Sequence, residues 1–329
     1  MTFGIIGTNF ISSNFIAALP YTSAGVSAVY SRREETGKAF AEKHNLPFVY
    51  TDMDAFLASD IDAVYIASPN FLHKEQAIRA LKAGKHVLVE KPAAPSLAEW
   101  QEMKEEAKKA GKVLMEAMRP IHAEAWEIVK NNLQKIGKVR EAVLDYCQYS
   151  SRYDAFLEGT VLNAFNPALS NAALLDIGIY PISAAVFTFG MPKDIKSRSC
   201  FLPNGFECGG TVILGYEGFS VTVTYSKVAQ SVTPSHIIGE KGGIVIDKVS
   251  NPLAVTLYTE NGAKKEPIPL PQTDAMDNMF EEVRDFCQAI EDGDLLPAAL
   301  YTDMSLSVMD AVRAENGITF PSDEKEKKE

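Results

Sequence analysis

The sequence predicts an α/β chain in two parts. A doubly wound parallel sheet comes first, and an α+β domain on a large, mostly antiparallel sheet follows. Three observations lead there. Short apolar runs alternate strictly with helix-type segments over residues 1–118, which calls for parallel strands joined by right-handed crossovers. The first run, Phe3-Gly4-Ile5-Ile6, ends in a glycine turn and a helix. Over residues 195–270 the apolar period falls to two, punctuated by Asn204-Gly205, Glu217-Gly218, Gly242-Gly243 and Asn261-Gly262, which are hairpin signals. The expected division is a first domain at 1–118, a second at 119–322 and a frayed charged tail at 323–329. Closing helices near 276–290 and 300–315 are expected to pack back toward the first domain.

In chain order, residues 12–19 read as a helix ended by Pro20, 25–30 as a strand, and 34–44 as a helix with Ala39, Phe40 and Lys43 at helical spacing. Residues 48–50 form a short strand and 53–57 a short helix. A buried strand follows at 61–66, then a helix at 73–83 with Gly84 as its cap. The run 86–89 is a strand. Ser96 caps a charged helix reaching Ala110, with Gly111 after it, and 113–116 is the next strand. The pattern then changes to a helix at 123–135, a strand at 138–149 and a helix at 178–189, before the antiparallel region. The glycine-rich segment 239–243 has β-pattern on both sides, which marks a sheet turn rather than a phosphate loop.

The composition bounds the function. The 329 residues hold 46% hydrophobic and 23% charged side chains, as in ordinary globular domains. A net charge of -11 argues against nucleic acid or an anionic membrane as partner. No apolar run is long enough to span a bilayer, and the N-terminus reads as a first strand rather than a signal peptide. Cys147, Cys200, Cys208 and Cys287 are scattered without metal-ligand spacing. Reduced thiols, no metal and a cytoplasmic setting are therefore expected.

In such a sheet, ligands bind outside the carboxyl ends of the strands. Four ends carry polar or special residues directly after apolar runs: Gly7-Thr8-Asn9, Ser31-Arg32-Arg33, Ser68-Pro69-Asn70 and Glu90-Lys91-Pro92. The stretch Gly7-Thr8-Asn9-Phe10-Ile11-Ser12 keeps only the first glycine of the dinucleotide fingerprint. Alone it fits a cofactor-free strand–glycine–helix turn as well as a phosphate cradle. Asn9 can adopt a left-handed backbone but is bulkier than glycine. Ser31 and Arg32 stand where a NAD-preferring site holds an acid. Ser31 and Arg32, with Arg33 beside them, suit a 2′-phosphate, so NADP is favoured and NAD is the alternative; a merely basic, solvated helix start is the other reading. Lys91 is anchored on a rigid strand end. Beside a nicotinamide cation its pKa would fall, fitting it to exchange a proton with a carbonyl or alcohol oxygen; an ordinary surface lysine is the competing reading. In the second half, Asp176 and Tyr180 share a face if their segment is helical. They are candidates for substrate binding and proton transfer, although spacing alone favours an Asp cap with a core tyrosine.

Together these stretches resemble the Gfo/Idh/MocA oxidoreductases, over nearly the whole chain. The most specific marks are Glu90-Lys91-Pro92 and the segment Leu174-Leu175-Asp176-Ile177-Gly178-Ile179-Tyr180, supported by Pro69-Asn70 with His73, and by Glu116-Ala117 with Arg119 and His122. The form Asp-Ile-Gly-Ile-Tyr-Pro looks closest to the branch of dimeric dihydrodiol dehydrogenase and D-xylose dehydrogenase. The resemblance implies an N-terminal Rossmann domain and an NAD(P)-dependent dehydrogenase or reductase acting on a sugar, polyol or trans-diol. It implies that Lys91 is the catalytic lysine, that Tyr180 exchanges the proton at the substrate oxygen, and that Asp176 orients substrate or Lys91. Asn70 and Glu90 would line the nicotinamide ribose, with Ser68, Pro69 and His73 in the same cofactor set. Arg119 and His122 are substrate candidates, or interdomain hydrogen-bond formers. A homodimer or homotetramer through the second sheet is implied. The alternatives within the family are a catalytically silent nucleotide-binding sensor and a cofactor-assisted non-redox enzyme. Two departures from the family pattern stand out: Asn9 in place of the middle glycine, and Ser170-Asn171-Ala172-Ala173 where relatives are glycine-rich.

Overall fold

The computed structural model describes residues 1–271, 279–321 and 323, and the chain divides into two compact units. The first takes residues 1–118 and 274–299, the second 119–273 and 300–329.

The first unit alternates β1 (Thr2–Ile6), α1 (Phe10–Ala18), β2 (Gly25–Tyr30), α2 (Glu34–His44), β3 (Phe48–Tyr50), α3 (Met53–Leu57), β4 (Ala63–Ile66), α4 (His73–Lys82), β5 (His86–Glu90), α5 (Leu97–Ala110) and β6 (Leu114–Ala117). The six strands form one sheet in the order β3-β2-β1-β4-β5-β6, every pair parallel. The chain winds outward from β1 in one direction and from β4 in the other. The switch point therefore lies between β1 and β4, where a crevice opens at the carboxyl ends. Phe15 stacks on Tyr65 at 3.9 Å and meets Phe3 edge-on at 5.1 Å, fixing α1 against β1 and β4.

The second unit opens with α6 (Arg119–His122) and α7 (Glu124–Asn132), which ends in a 3-10 turn at Leu133–Ile136. After these come β7 (Val139–Cys147), α8 (Tyr153–Leu157), a π-helical turn at Leu174–Gly178 and α9 (Ile179–Phe189). The strands β8 (Asp194–Phe201), β9 (Glu207–Tyr216), β10 (Phe219–Ser226), β11 (Ser235–Gly239), β12 (Gly242–Ile246), β13 (Val255–Thr259) and β14 (Lys264–Ile268) complete the run. Their sheet has the order β14-β13-β12-β11-β7-β10-β9-β8 and is antiparallel apart from the β7–β10 pair. The 239–243 segment is the β11–β12 hairpin, Gly239 opposite Gly242.

Two helices close the chain, α10 (Met279–Asp292) and α11 (Ala299–Asn316). They belong to different units. Met279, Val283 and Phe286 of α10 join the core of the first unit with Phe3 and Phe15. From Leu300 onward, α11 belongs to the second unit: Tyr301 packs on Phe187 at 5.0 Å and Ser305 Oγ lies 3.0 Å from Ser183 Oγ. The expected helix start at 276–278 and the tail at 324–329 lie outside the described residues. Smaller boundary differences have local causes. α1 starts at Phe10 rather than 12 because Asn9 caps it. α4 stops at Lys82, with Gly84 at φ +78° beyond it.

Candidate active site

Gly7 leaves β1 with φ +111°, a conformation that side-chain-bearing residues rarely adopt. A Cβ there would stand 2.6 Å from the Ala67 carbonyl oxygen. Asn9 is extended (φ −89°, ψ −178°), not left-handed. Its Oδ1 accepts from the N–H groups of Ile11 at 2.9 Å and Ser12 at 3.2 Å, and its Nδ2 donates to Ala67 O at 2.7 Å. The side chain is thus both the N-cap of α1 and a strap between the ends of β1 and β4. The N–H groups of Thr8, Asn9 and Phe10 carry no bond among the described residues. They lie at the positive end of α1, a cradle that fits a pyrophosphate. Phe10 is exposed, Ile11 half-buried and Ser12 buried.

At the end of β2, Ser31 is buried, with Oγ 2.9 Å from Arg33 O and 2.8 Å from Thr36 Oγ1. It builds the turn into α2. Arg32 and Arg33 are exposed, and neither forms an ion pair among the described residues. The first acid of α2, Glu34, pairs with Lys38 at 2.7 Å instead, which leaves the two guanidinium charges at the strand end.

At the end of β4, Ser68 Oγ donates to Gln76 Oε1 at 2.6 Å, Pro69 is exposed, and Asn70 opens a 3-10 turn at Asn70–Leu72. His73 is fully buried. Its Nδ1 lies 2.9 Å from Pro92 O and its Nε2 2.9 Å from Ser68 O, so the ring clamps the loops after β4 and β5. Burial lowers its pKa, and the Lys91 charge adds to that; the carbonyls of Ser68, Pro92 and Ala93 pull the other way.

At the end of β5, Glu90 is turned inward. Tyr65 Oη donates to its Oε1 at 2.5 Å and the Lys91 N–H reaches its Oε2 at 3.2 Å. Lys91 is half-buried, and a cis peptide joins it to Pro92. Two residues on, the Ala93 N–H donates to Oε1 of buried Glu116 at 2.8 Å. Two inward carboxylates therefore fix the backbone on either side of Lys91, so the lysine is presented from a rigid base.

In the second unit, the segment with Asp176 is a π-turn that passes into α9 just before Tyr180, so the α-helical four-residue spacing does not relate the two. Such single π-turns often mark functional sites. Asp176 is not a helix cap. It lies within the turn and pairs with Lys227 Nζ at 2.8 Å. Tyr180 is half-buried rather than core, its ring edge-on to Tyr146 at 5.3 Å. Arg119 is half-buried and His122 buried on α6, which packs against α9. The stretch before the turn has Ser170 left-handed at φ +54°, and Asn171 Nδ2 donates to Asn163 O at 2.8 Å.

Sequence reasoning missed Tyr65, Glu207 and Lys227, and quoted Glu116 as a family mark without its contact to the Ala93 N–H. The only signal for Glu207 was a charge set between apolar Phe206 and Cys208. Among the described residues no group of His, Cys, Asp and Glu could hold a metal ion, and no helix is long and apolar enough to cross a membrane.

Residues 1–118 match the oxidoreductase family with the NAD-binding Rossmann fold, and residues 123–245 match the Gfo/Idh/MocA C-terminal domain. The NADP-dependent scyllo-inositol 2-dehydrogenase IolU of Bacillus subtilis is 45% identical over 98% of this chain and 99% of its own length. The human trans-1,2-dihydrobenzene-1,2-diol dehydrogenase is 29% identical over 99% of both. Among solved structures, the 3-ketoreductase KijD10 of Actinomadura kijaniata, in complex with NADP and TDP-benzene, superposes with a TM-score of 0.83 at 27% identity, covering 96% of this chain and 98% of the other. The chain belongs to the Gfo/Idh/MocA family of NAD(P)-dependent oxidoreductases.

Proposed function

We propose that this chain is an NADP-dependent dehydrogenase or reductase acting on a CH–OH group of a sugar or cyclic polyol, with scyllo-inositol the first candidate. The observation that carries the reading is the order β2-β1-β4-β5, which sets Arg32, the Gly7–Asn9 cradle, Asn70 and Lys91 at adjacent strand ends around the switch point. When bound, the nicotinamide supplies or accepts the hydride. The N–H groups of Thr8, Asn9 and Phe10 bind the pyrophosphate, and Arg32 and Arg33 bind the 2′-phosphate by charge-assisted hydrogen bonds. The Tyr180 hydroxyl gives its proton to the substrate oxygen or takes one from it, and Lys91 assists that transfer with its positive charge. Asp176 accepts a hydrogen bond from a substrate hydroxyl. The identity to the inositol dehydrogenase supports a polyol over a trans-diol.

Assembly as a homodimer or homotetramer through the second sheet is part of the reading. Ile213 and Ile238 stand 45% and 43% exposed on the same face of that sheet by register. A cytoplasmic location is supported by four free cysteines.

The test is a fluorescence titration with NADPH and NADH, then a turnover screen across sugars, cyclic polyols and trans-diols. Tighter NADPH binding and turnover of a polyol are expected. Tight NADPH binding with no turnover of any member of the panel would instead favour a silent sensor.

A further inference from the structure

Beneath the turn that carries Asp176 lies a buried pair of opposite charges. Glu207 opens β9 and Lys227 directly follows β10, its antiparallel neighbour; they are 2% and 4% exposed. Glu207 Oε2 accepts the N–H of Leu174 at 2.8 Å. Leu174 is the first residue of the π-turn, where a helix leaves its N–H groups without internal partners. Burial pushes the Glu207 carboxyl up to about 7, while the N–H of Leu174, the Tyr225 hydroxyl, the N–H of Ala173 and the Lys227 charge work against that rise. The other end of the turn rests on Tyr225: a Cβ on Gly178 would stand 3.1 Å from its ring. The turn is thus gripped at its start by Glu207 and packed at its end on an aromatic face.

Lys227 reaches the same turn from below. Its Nζ lies 5.2 Å and 5.5 Å from the ring centroids of Phe165 and Phe206, donates to Ala164 O at 3.0 Å and meets Asp176 Oδ2 at 2.8 Å. The two partners differ in surroundings. The lysine side chain is 5% exposed and the aspartate side chain 45%. An ammonium withdrawn from water needs a paired charge. The fold fixes the lysine, and the lysine fixes the carboxylate. Exposed ion pairs orient little, because two solvated side chains lose entropy for a screened attraction; here one partner is already immobile.

We propose that Lys227, with Glu207 gripping the turn, is a positioning residue that holds the Asp176 carboxylate in one orientation to receive a hydrogen bond from a substrate hydroxyl. The inference rests on the reading of Asp176 as a substrate ligand. The rotamer freedom of Asp176 is removed before substrate arrives, which strengthens binding without any contact from Lys227 to the substrate.

Three variants test this: Lys227→Met, Asp176→Asn and the double variant. Methionine fills the aromatic pocket without the charge, and Glu207, whose carboxyl already stands at about 7, takes up a proton in place of the lost counter-charge, so the fold is expected to hold. Lys227→Gln, which still carries a donor for Ala164 O, is the second variant should the methionine protein fail to fold. Steady-state oxidation of scyllo-inositol with NADP⁺ is measured, with NADPH affinity by fluorescence. For Lys227→Met, KM is expected to rise about tenfold, the loss of one charge-assisted hydrogen bond, with NADPH affinity unchanged. The double variant is expected to be no worse than Asp176→Asn alone, since Lys227 acts through that carboxylate. An unchanged KM in Lys227→Met and Lys227→Gln, or additive losses in the double variant, overturns the inference while leaving Asp176 as a substrate ligand. Full activity in Asp176→Asn overturns that reading of Asp176 itself, and the inference with it.

Discussion

The Asn9 side-chain amide donates to the Ala67 carbonyl at 2.7 Å, tying the turn after β1 to the end of β4 across the switch point of the sheet. Asn9 replaces the fingerprint glycine and also starts the helix, because its Oδ1 takes up the N–H groups of Ile11 and Ser12. Asn9→Ala removes both functions. The cap alone is worth about 1 kcal/mol, so the thermal midpoint should fall by several degrees. NADPH affinity should weaken about two- to tenfold as the cradle loosens. Gly7→Ala should do worse on both counts, since its Cβ would collide with the Ala67 carbonyl oxygen at a backbone angle alanine resists. Thermal melts and NADPH titration of the two variants check this. Unaltered melting and affinity in Asn9→Ala would show that the strap is idle.

On the proposed reading, cofactor preference rests on Arg32. Glu34 is paired to Lys38, and among the described residues neither Glu34 nor Glu35 forms an ion pair with the strand-end arginines. Loss of a charge-assisted bond to a 2′-phosphate is worth about 1.5–3 kcal/mol, or roughly 10- to 100-fold in affinity. Arg32→Ala should therefore weaken NADPH by that factor and leave NADH nearly unchanged. Equal weakening of both dinucleotides, or of neither, would contradict the assignment.

A pH effect is expected from His86 at the start of β5. Its Nδ1 accepts the N–H of Val113 at 3.1 Å, so this nitrogen must stay unprotonated. Burial lowers its pKa to about 4, the Lys112 charge adds to that, and Asp62 opposes it. The unfolded ring titrates near 6.5. Between these values the unfolded chain binds the extra proton, so the contribution is intact above about pH 6.5 and is lost as pH falls toward 4. Half-exposure of the ring limits this to about 1–2 kcal/mol. Denaturant unfolding of wild type and His86→Asn at pH 7 and pH 5 should show a shallower acid loss in the variant. His73 is shifted in the same direction, so the slope should shrink rather than vanish. An identical slope in both proteins would exclude His86 as a contributor.

The sheet and its polar strand ends were legible because each apolar run stops at a local signal: Gly7, Ser31, Ser68 or Glu90. Their convergence followed from the crossover rule, and the order β2-β1-β4-β5 has the predicted neighbours side by side. The roles of individual residues were less legible. Asn9 finds its partner 58 residues away, and Glu90 and His73 turn inward toward Tyr65 and the Pro92 carbonyl. No local pattern records such contacts. The π-turn was hidden as well, since one extra residue among Leu174, Leu175 and Ile177 leaves the apolar run intact. Lys227 follows the alternating strand Val221-Val223-Tyr225, where no local pattern marks it; its ammonium lies against the rings of Phe165 and Phe206.

On the proposed reading, Lys91 and Tyr180 carry the proton chemistry of an NADP-dependent oxidation. The formation of NADPH from NADP⁺ and scyllo-inositol by wild type, Lys91→Ala and Tyr180→Phe, with NADPH affinity measured alongside, tests this. Loss of a general acid–base group costs about 10²- to 10⁴-fold in kcat, and a fall of that size is expected in both variants with NADPH binding by Tyr180→Phe intact. Wild-type turnover in both Lys91→Ala and Tyr180→Phe would contradict the claim.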